Sequence, residues 1–195
     1  MREFTTPLWN EMGIISPINE SNPTSLVRSP YEMDIVSFVR MFSLTPARNK
    51  ILRGLLNFRI ELSKIGLAEG FQWVDGSFTE NVELIERRAP NDVDVVTFFT
   101  FQDGDDDEMV FTRNPTLFDQ PFVKTNYLVD SYYQSLSDSG ANLVSRTVYW
   151  YSMWAHKRDL SWKGFVQIPL SPNLDTIALS ILATVEAEGA NHESH

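Results

Sequence analysis

Apolar positions along the chain change their spacing several times, and each change marks an element. Ile35, Phe38, Val39 and Phe42 form one stripe at helical spacing and predict a helix over 32–43. Thr45-Pro46 is an N-cap followed by proline at the first helical position, so a second helix is predicted over 46–66. Ile51, Leu55, Leu62 and Ile65 mark its buried side, and Gly66 terminates it. Two short apolar runs, 71–76 and 92–101, predict strands. Pro115 and Pro121 make 113–123 a loop with one helical turn at most, and alternation over 126–134 predicts another strand. Residues 141–156 predict a helix whose Val144, Val148, Trp150, Tyr151 and Trp154 are assigned to the core rather than to a stacking platform. A last strand over 164–170 ends at Pro169 and Pro172, and an amphipathic helix over 173–188 has Asp175 near its positive end.

Helices and strands are interspersed along the chain, which predicts an α/β (α+β) fold: a mixed twisted sheet with helices mainly on one face. Residues 1–30, with Pro7, Pro17 and Pro23, predict an extended N-terminal arm; 31–190 form a single domain, and 191–195 a frayed tail. A chain of 195 residues with 43% hydrophobic and 22% charged residues suits one domain with a substantial core. The absence of cysteine excludes disulfides and cysteine-ligated zinc, and a cytoplasmic location is expected. No signal-peptide core and no run of about 18 apolar residues is present, so no membrane span is expected. The net charge of −10 argues against a broad surface for duplex nucleic acid and favours a small nucleotide with a metal.

The chemistry is concentrated between residues 75 and 94. Asp92 and Asp94 lie two apart, so on a strand both project from one face while Val93 and Val95 fill the other. Adjacent carboxylates repel, and a hard divalent cation such as Mg²⁺ resolves the repulsion. The upstream turn at Gly76-Ser77 offers backbone N–H groups and a hydroxyl to phosphate oxygens. Asp75 and Glu80 flank that turn and are expected to order it by hydrogen bonding, without a catalytic role. The acidic run 102–108 lacks the spacing of an EF-hand and predicts a solvated turn. Arg87, Arg88, Lys124, Arg146, Lys157, Arg158 and Lys163 are cations able to meet phosphate, each individually expected to be solvated. His156 is expected to cap a helix end or to be exposed. The chain has neither a Walker phosphate loop nor a nucleophile-elbow serine.

Gly76, Ser77, Asp92 and Asp94 together resemble the signature of the polymerase-β-type nucleotidyltransferase superfamily: Gly-Ser, a spacer, then Asp-apolar-Asp on a strand. The chain is also similar to small uncharacterised bacterial proteins of that class. The shared stretches are Arg-Ser-Pro-Tyr at 28–31, Gly-Phe-Gln-Trp-Val-Asp-Gly-Ser-Phe at 70–78, Pro-Asn-Asp-Val-Asp-Val-Val at 90–96, and Lys163-Gly164. The spacer between Ser77 and Asp92 is slightly longer than usual, which leaves room for an inserted loop or bent helix.

The resemblance implies a nucleotidyltransferase-like fold and a third carboxylate on a neighbouring strand. Asp130 is the best placed, with Asp119 and Asp138 as alternatives. It implies catalytic and metal-binding roles for Asp92, Asp94 and Asp130 and nucleotide-binding roles for Gly76, Ser77 and Lys163. The cofactor would be Mg²⁺ or Mn²⁺. The expected reaction moves a nucleoside monophosphate from an NTP such as ATP, or from a dNTP, to a hydroxyl on RNA, protein or a nucleotide. Such enzymes often belong to toxin–antitoxin or phage-defence loci. The alternatives are a non-catalytic nucleotide- or partner-binding protein on the same fold, and a subunit for which a protein partner or second copy supplies the acceptor platform.

Overall fold

The computed structural model describes residues 9–101 and 107–192. The strand order in the five-stranded sheet is β1-β5-β2-β3-β4. β1 (Tyr31–Glu32) runs parallel to β5 (Val166–Pro169). β5 is antiparallel to β2 (Glu69–Asp75), and β2 is antiparallel to β3 (Val93–Thr100). β4 (Val129–Ser135) closes the other edge, parallel to β3. Parallel neighbours require a crossover, which α4 (Asp107–Arg113), α5 (Pro115–Phe118) and α6 (Gln120–Tyr127) provide.

The other helices are α1 (Ile35–Phe42), α2 (Pro46–Lys64), α3 (Val82–Ile85), α7 (Gly140–Trp154) and α8 (Pro172–His192). Local signals explain their starts. Asp34 accepts from Ser37 N, Thr45 accepts from Arg48 N ahead of Pro46, and Asn81 and Ser139 cap α3 and α7.

Strand alternation divides the core in two. Val74, Val93, Val95, Phe99, Val166 and Ile168 face the main core, which α1, α2, α6 and α8 cover. Trp73, Val96 and Phe98 face the opposite side, where Trp150 and Trp154 of α7 meet them and Phe165. The sheet is mixed and its helices lie mainly on one face, as expected, with α7 covering part of the second.

A buried cross-link ties the main layer together. Arg59 of α2 is 1% exposed. It donates to Asp175 Oδ1 of α8 at 2.6 Å, to Gln72 Oε1 of β2 at 2.7 Å and to the Pro169 carbonyl of β5 at 2.8 Å. Each donor has an acceptor, which is the condition for burying a guanidinium. Asp175 therefore does more than complement a helix end.

Several expectations need correction. Residues 113–123 are mostly helical: Pro115 lies in the first turn of α5 and Pro121 in that of α6, while Asp119 caps α6 by accepting from Phe122 N. The following strand therefore begins at Val129, after Leu128 takes a left-handed conformation at φ 57°. Val144 and Val148 are 64% and 62% exposed, so only Trp150 and Trp154 of the α7 apolar residues are fully in the core. The described part of the N-terminal arm does pack on the domain, as expected: Ile14 and Ile15 are buried, and its backbone bonds to the domain at Asn81 and Gly164. Residues 102–106 of the acidic run, and 193–195 of the tail, lie outside the described residues. Among the described residues, no helix is long and apolar enough to cross a membrane.

Candidate functional site

The pairing registers bring aspartates from three neighbouring strands into one row. Asp75 of β2 pairs with Asp94 of β3, and Asp94 pairs with Asp130 of β4. Paired residues on adjacent strands share a face, about 4.8 Å apart along the row. That face is the one carrying Trp73, Val96 and Tyr132, beyond the part that α7 covers. Asp92 precedes β3 and joins the row through Lys124, whose Nζ lies 2.8 Å from Asp92 Oδ2 and 2.7 Å from Asp130 Oδ2. Gln120 donates to the other oxygen of Asp130 and, at 3.3 Å, is bonded to the Tyr132 hydroxyl.

Gly76 turns the chain directly against this row. Its φ of 80° and ψ of −167° fall where side chains are strained, and a Cβ there would stand 2.1 Å from Asp94 Oδ2. Ser77 then opens a single 3₁₀ turn, Ser77–Thr79, and α3 follows, filling the long spacer before Asp92. Buried cations hold this turn from behind. Lys163 Nζ lies 2.8 Å from Glu80 Oε1, 3.0 Å from Asp75 Oδ1 and 3.3 Å from the Gly76 carbonyl. Arg48, 0% exposed, donates to the Phe78 and Glu80 carbonyls at 2.6 Å each and to both oxygens of Glu83. Trp9 of the arm packs against that guanidinium and donates its indole N–H to the Thr79 carbonyl at 2.7 Å.

Electrostatics distinguish the members of the row. Asp94 is pushed up to about 7 by burial, then by the charges of Asp75, Asp92 and Asp130, with Lys163 opposing. Burial also raises Asp75 against the pull of Lys163. Asp130 goes the other way: burial would raise it, but hydrogen bonds from Lys124 and Gln120 outweigh that and hold it below the usual carboxylate range. Lys124 is raised by its bonds to Asp130 and Asp92. Burial and the nearby Asp130 push Tyr132 up to about 12. For Lys163, burial favours the neutral amine, yet Asp75 and Glu80 keep the ammonium above its ordinary value.

The structure thus sets Asp94 and Asp130 side by side with Gly76 at the edge of the row, and links Asp92 to Asp130 through a lysine. It places Lys163 elsewhere than expected. Rather than solvated or open to phosphate, that residue is 4% exposed and engaged behind the turn. Asp119 is occupied as a helix cap, and Asp138 accepts from Gln134 at the far end of β4. A cleft of about 310 Å³ at that far end, between Phe111, Tyr133 and Arg146, is separate from the row.

Sequence reasoning missed Asp75 as a member of the row and Arg48 as a support. Asp75 closes the same strand that carries Trp73, so strand parity was the available signal. Arg48 carried none, since an arginine early in a helix reads as solvated.

Among the described residues, no three His, Asp or Glu side chains already form a group that could hold a metal. The Lys124 ammonium stands between two of the candidate ligands. The donor set nonetheless suits a hard cation. It consists of carboxylate oxygens alone, supplied by Asp92, Asp94 and Asp130 on and beside two adjacent strands.

Residues 7–169 match the model described as a family of unknown function (DUF6932). No curated protein and no solved structure matches the chain.

Proposed function

The chain belongs to DUF6932, and because that family carries no assigned activity we propose one from the site itself: metal-dependent nucleotidyl transfer on a nucleotidyltransferase-like fold. The observation that carries this reading is the row of Asp75, Asp94 and Asp130 on three adjacent strands, with Gly76 packed against Asp94. Asp92, Asp94 and Asp130 would hold Mg²⁺ or Mn²⁺. When bound, the cation would polarise the α-phosphate and make the acceptor hydroxyl more acidic.

The chain's own groups account for the rest. Gly76 lets the turn pack directly against Asp94, and the Ser77 hydroxyl and turn N–H groups donate to phosphate oxygens beside the row. Lys163 and Arg48 keep the turn in place without touching the nucleotide. The acceptor oxygen attacks the α-phosphorus, the bond from that phosphorus to the bridging oxygen breaks, and pyrophosphate leaves with the electron pair. The acceptor proton passes to a carboxylate of the row and then to water.

One observation favours a second reading, a nucleotide- or partner-binding protein without turnover: Lys124 already bridges Asp92 and Asp130. Incubating the protein with each labelled NTP and dNTP, with Mg²⁺ or Mn²⁺, separates the two. Transfer predicts pyrophosphate release or self-labelling that Asp92→Ala and Asp94→Ala abolish. Nucleotide binding without release, for every triphosphate, favours the second reading. Wild-type release by both variants removes the row from the chemistry.

A further inference from the structure

Two lysines contact the carboxylates of the row, and they differ in freedom. The Lys163 side chain is 5% exposed and has three oxygens around it. The Lys124 side chain is 47% exposed, projects from α6 and is attached to the row only through its terminal ammonium. That ammonium takes one oxygen from Asp92 and one from Asp130, the two carboxylates a divalent cation would have to share. A lysine carries its charge on a flexible four-carbon stem, so the group can leave these oxygens without any movement of α6.

We infer that Lys124 is an exchangeable cation: it occupies the row in the metal-free protein, leaves when a divalent cation binds, and then meets the phosphate oxygens of the incoming nucleoside triphosphate. This rests on the nucleotidyl-transfer reading. On Asp92 Oδ2 and Asp130 Oδ2 an ammonium and a divalent cation repel each other and compete for the same oxygens. Metal alone therefore binds against the loss of two charge-assisted hydrogen bonds. A triphosphate offers the displaced ammonium new oxygens, so metal and nucleotide each strengthen the other's binding, and linkage requires that coupling to be reciprocal. Gln120 stays on the other oxygen of Asp130 and keeps that carboxylate oriented while Lys124 moves.

The test is calorimetric titration of the parent, Lys124→Met, Lys124→Gln and Lys124→Arg with MgCl₂ alone, and with ATP, GTP, CTP and UTP at saturating Mg²⁺. Both neutral variants should bind Mg²⁺ alone about tenfold more tightly, equivalent to about 1.4 kcal/mol. They should bind the Mg²⁺-nucleotide no more tightly than the parent, or less. Lys124→Arg, which keeps the cation, should stay near the parent for Mg²⁺. A lysine with a merely structural role would shift both ligands in the same direction. Mg²⁺ affinity in the neutral variants equal to or below that of a parent that binds both ligands overturns the role of Lys124 alone. Failure of the parent and both neutral variants to bind Mg²⁺ or any triphosphate overturns the nucleotidyl-transfer reading beneath it. Mg²⁺ binding by the neutral variants but not by the parent supports displacement.

Discussion

Gly76 and Asp94 are in such close contact that a Cβ at the glycine would stand 2.1 Å from Asp94 Oδ2 and 2.9 Å from its Cγ. Gly76→Ala therefore meets both an unfavourable backbone conformation and a carboxylate that must move. It should cost about 1–3 kcal/mol. Asp94→Ala removes the obstructing atoms, so the double variant should be less destabilised than the sum of the two single changes. Urea melts of the four proteins measure this coupling. Additive effects would mean that the two residues do not constrain each other.

The raised Asp94 makes stability depend on pH with a definite sign. Its carboxyl lies near 7 when folded, against an ordinary value of 3.8. Between those values the folded state holds a proton that the unfolded state has released, so stability falls as pH rises from about 4 to about 7. Asp94→Asn should flatten that decline and stabilise the metal-free protein above pH 7, on the order of 1–3 kcal/mol. Asp130 acts in a different window. Its depressed value makes its contribution disappear as pH falls below the usual carboxylate range. Urea melts from pH 2 to 8 in EDTA test both, and an unchanged slope in Asp94→Asn would overturn the assignment to Asp94.

Arg48 should be far more important than Glu83, the carboxylate it pairs with. Arg48→Met leaves the Phe78 and Glu80 carbonyls without their donor and removes the surface that Trp9 packs against. A loss of about 3–5 kcal/mol is expected. Glu83 is 28% exposed, so water replaces much of what Glu83→Gln removes, and about 1 kcal/mol or less is expected. Trp9→Phe keeps the ring but loses the bond to Thr79, for about 1–3 kcal/mol. Thermal melts rank the three variants, and equal losses for Arg48→Met and Glu83→Gln would contradict this account.

The Arg59–Asp175 pair predicts a large single effect and a smaller double one. Asp175→Asn leaves a buried guanidinium without its counter-charge, at about 3–5 kcal/mol. Arg59→Met with Asp175→Leu removes both charges and should recover part of that loss, although Gln72 then lacks a donor. A double-variant cycle in urea checks this, and a double variant as weak as the sum of the single changes would show that the charges act independently.

Much of the local structure was legible because it is written in short periods. The Thr45-Pro46 cap, the terminating Gly66, the alternation through Val93, Val95 and Phe99, and the long final helix each depend on residues a few positions apart. Asp92 and Asp94 were noticeable for the same reason. Helical periodicity failed where burial depends on a distant surface. Val144 and Val148 have the composition of a core, but the sheet face under α7 is filled by Trp150, Trp154 and the strand aromatics, so those valines remain outside.

The sequence by itself determined the strand that carries Asp94, the sharp turn at Gly76 and the absence of cysteine chemistry. Only the tertiary structure decided which charges share a space. Strand pairing aligned Asp75 and Asp130 with Asp94, since register is set by how whole strands match their buried faces. Packing placed Lys163 beside Asp75, 88 positions away in the chain, and enclosed Arg48 beneath the turn. Lysine and arginine have no intrinsic preference for burial. The carboxylates and carbonyls that make it tolerable come from separate elements, and they surround the cation only once the chain has folded.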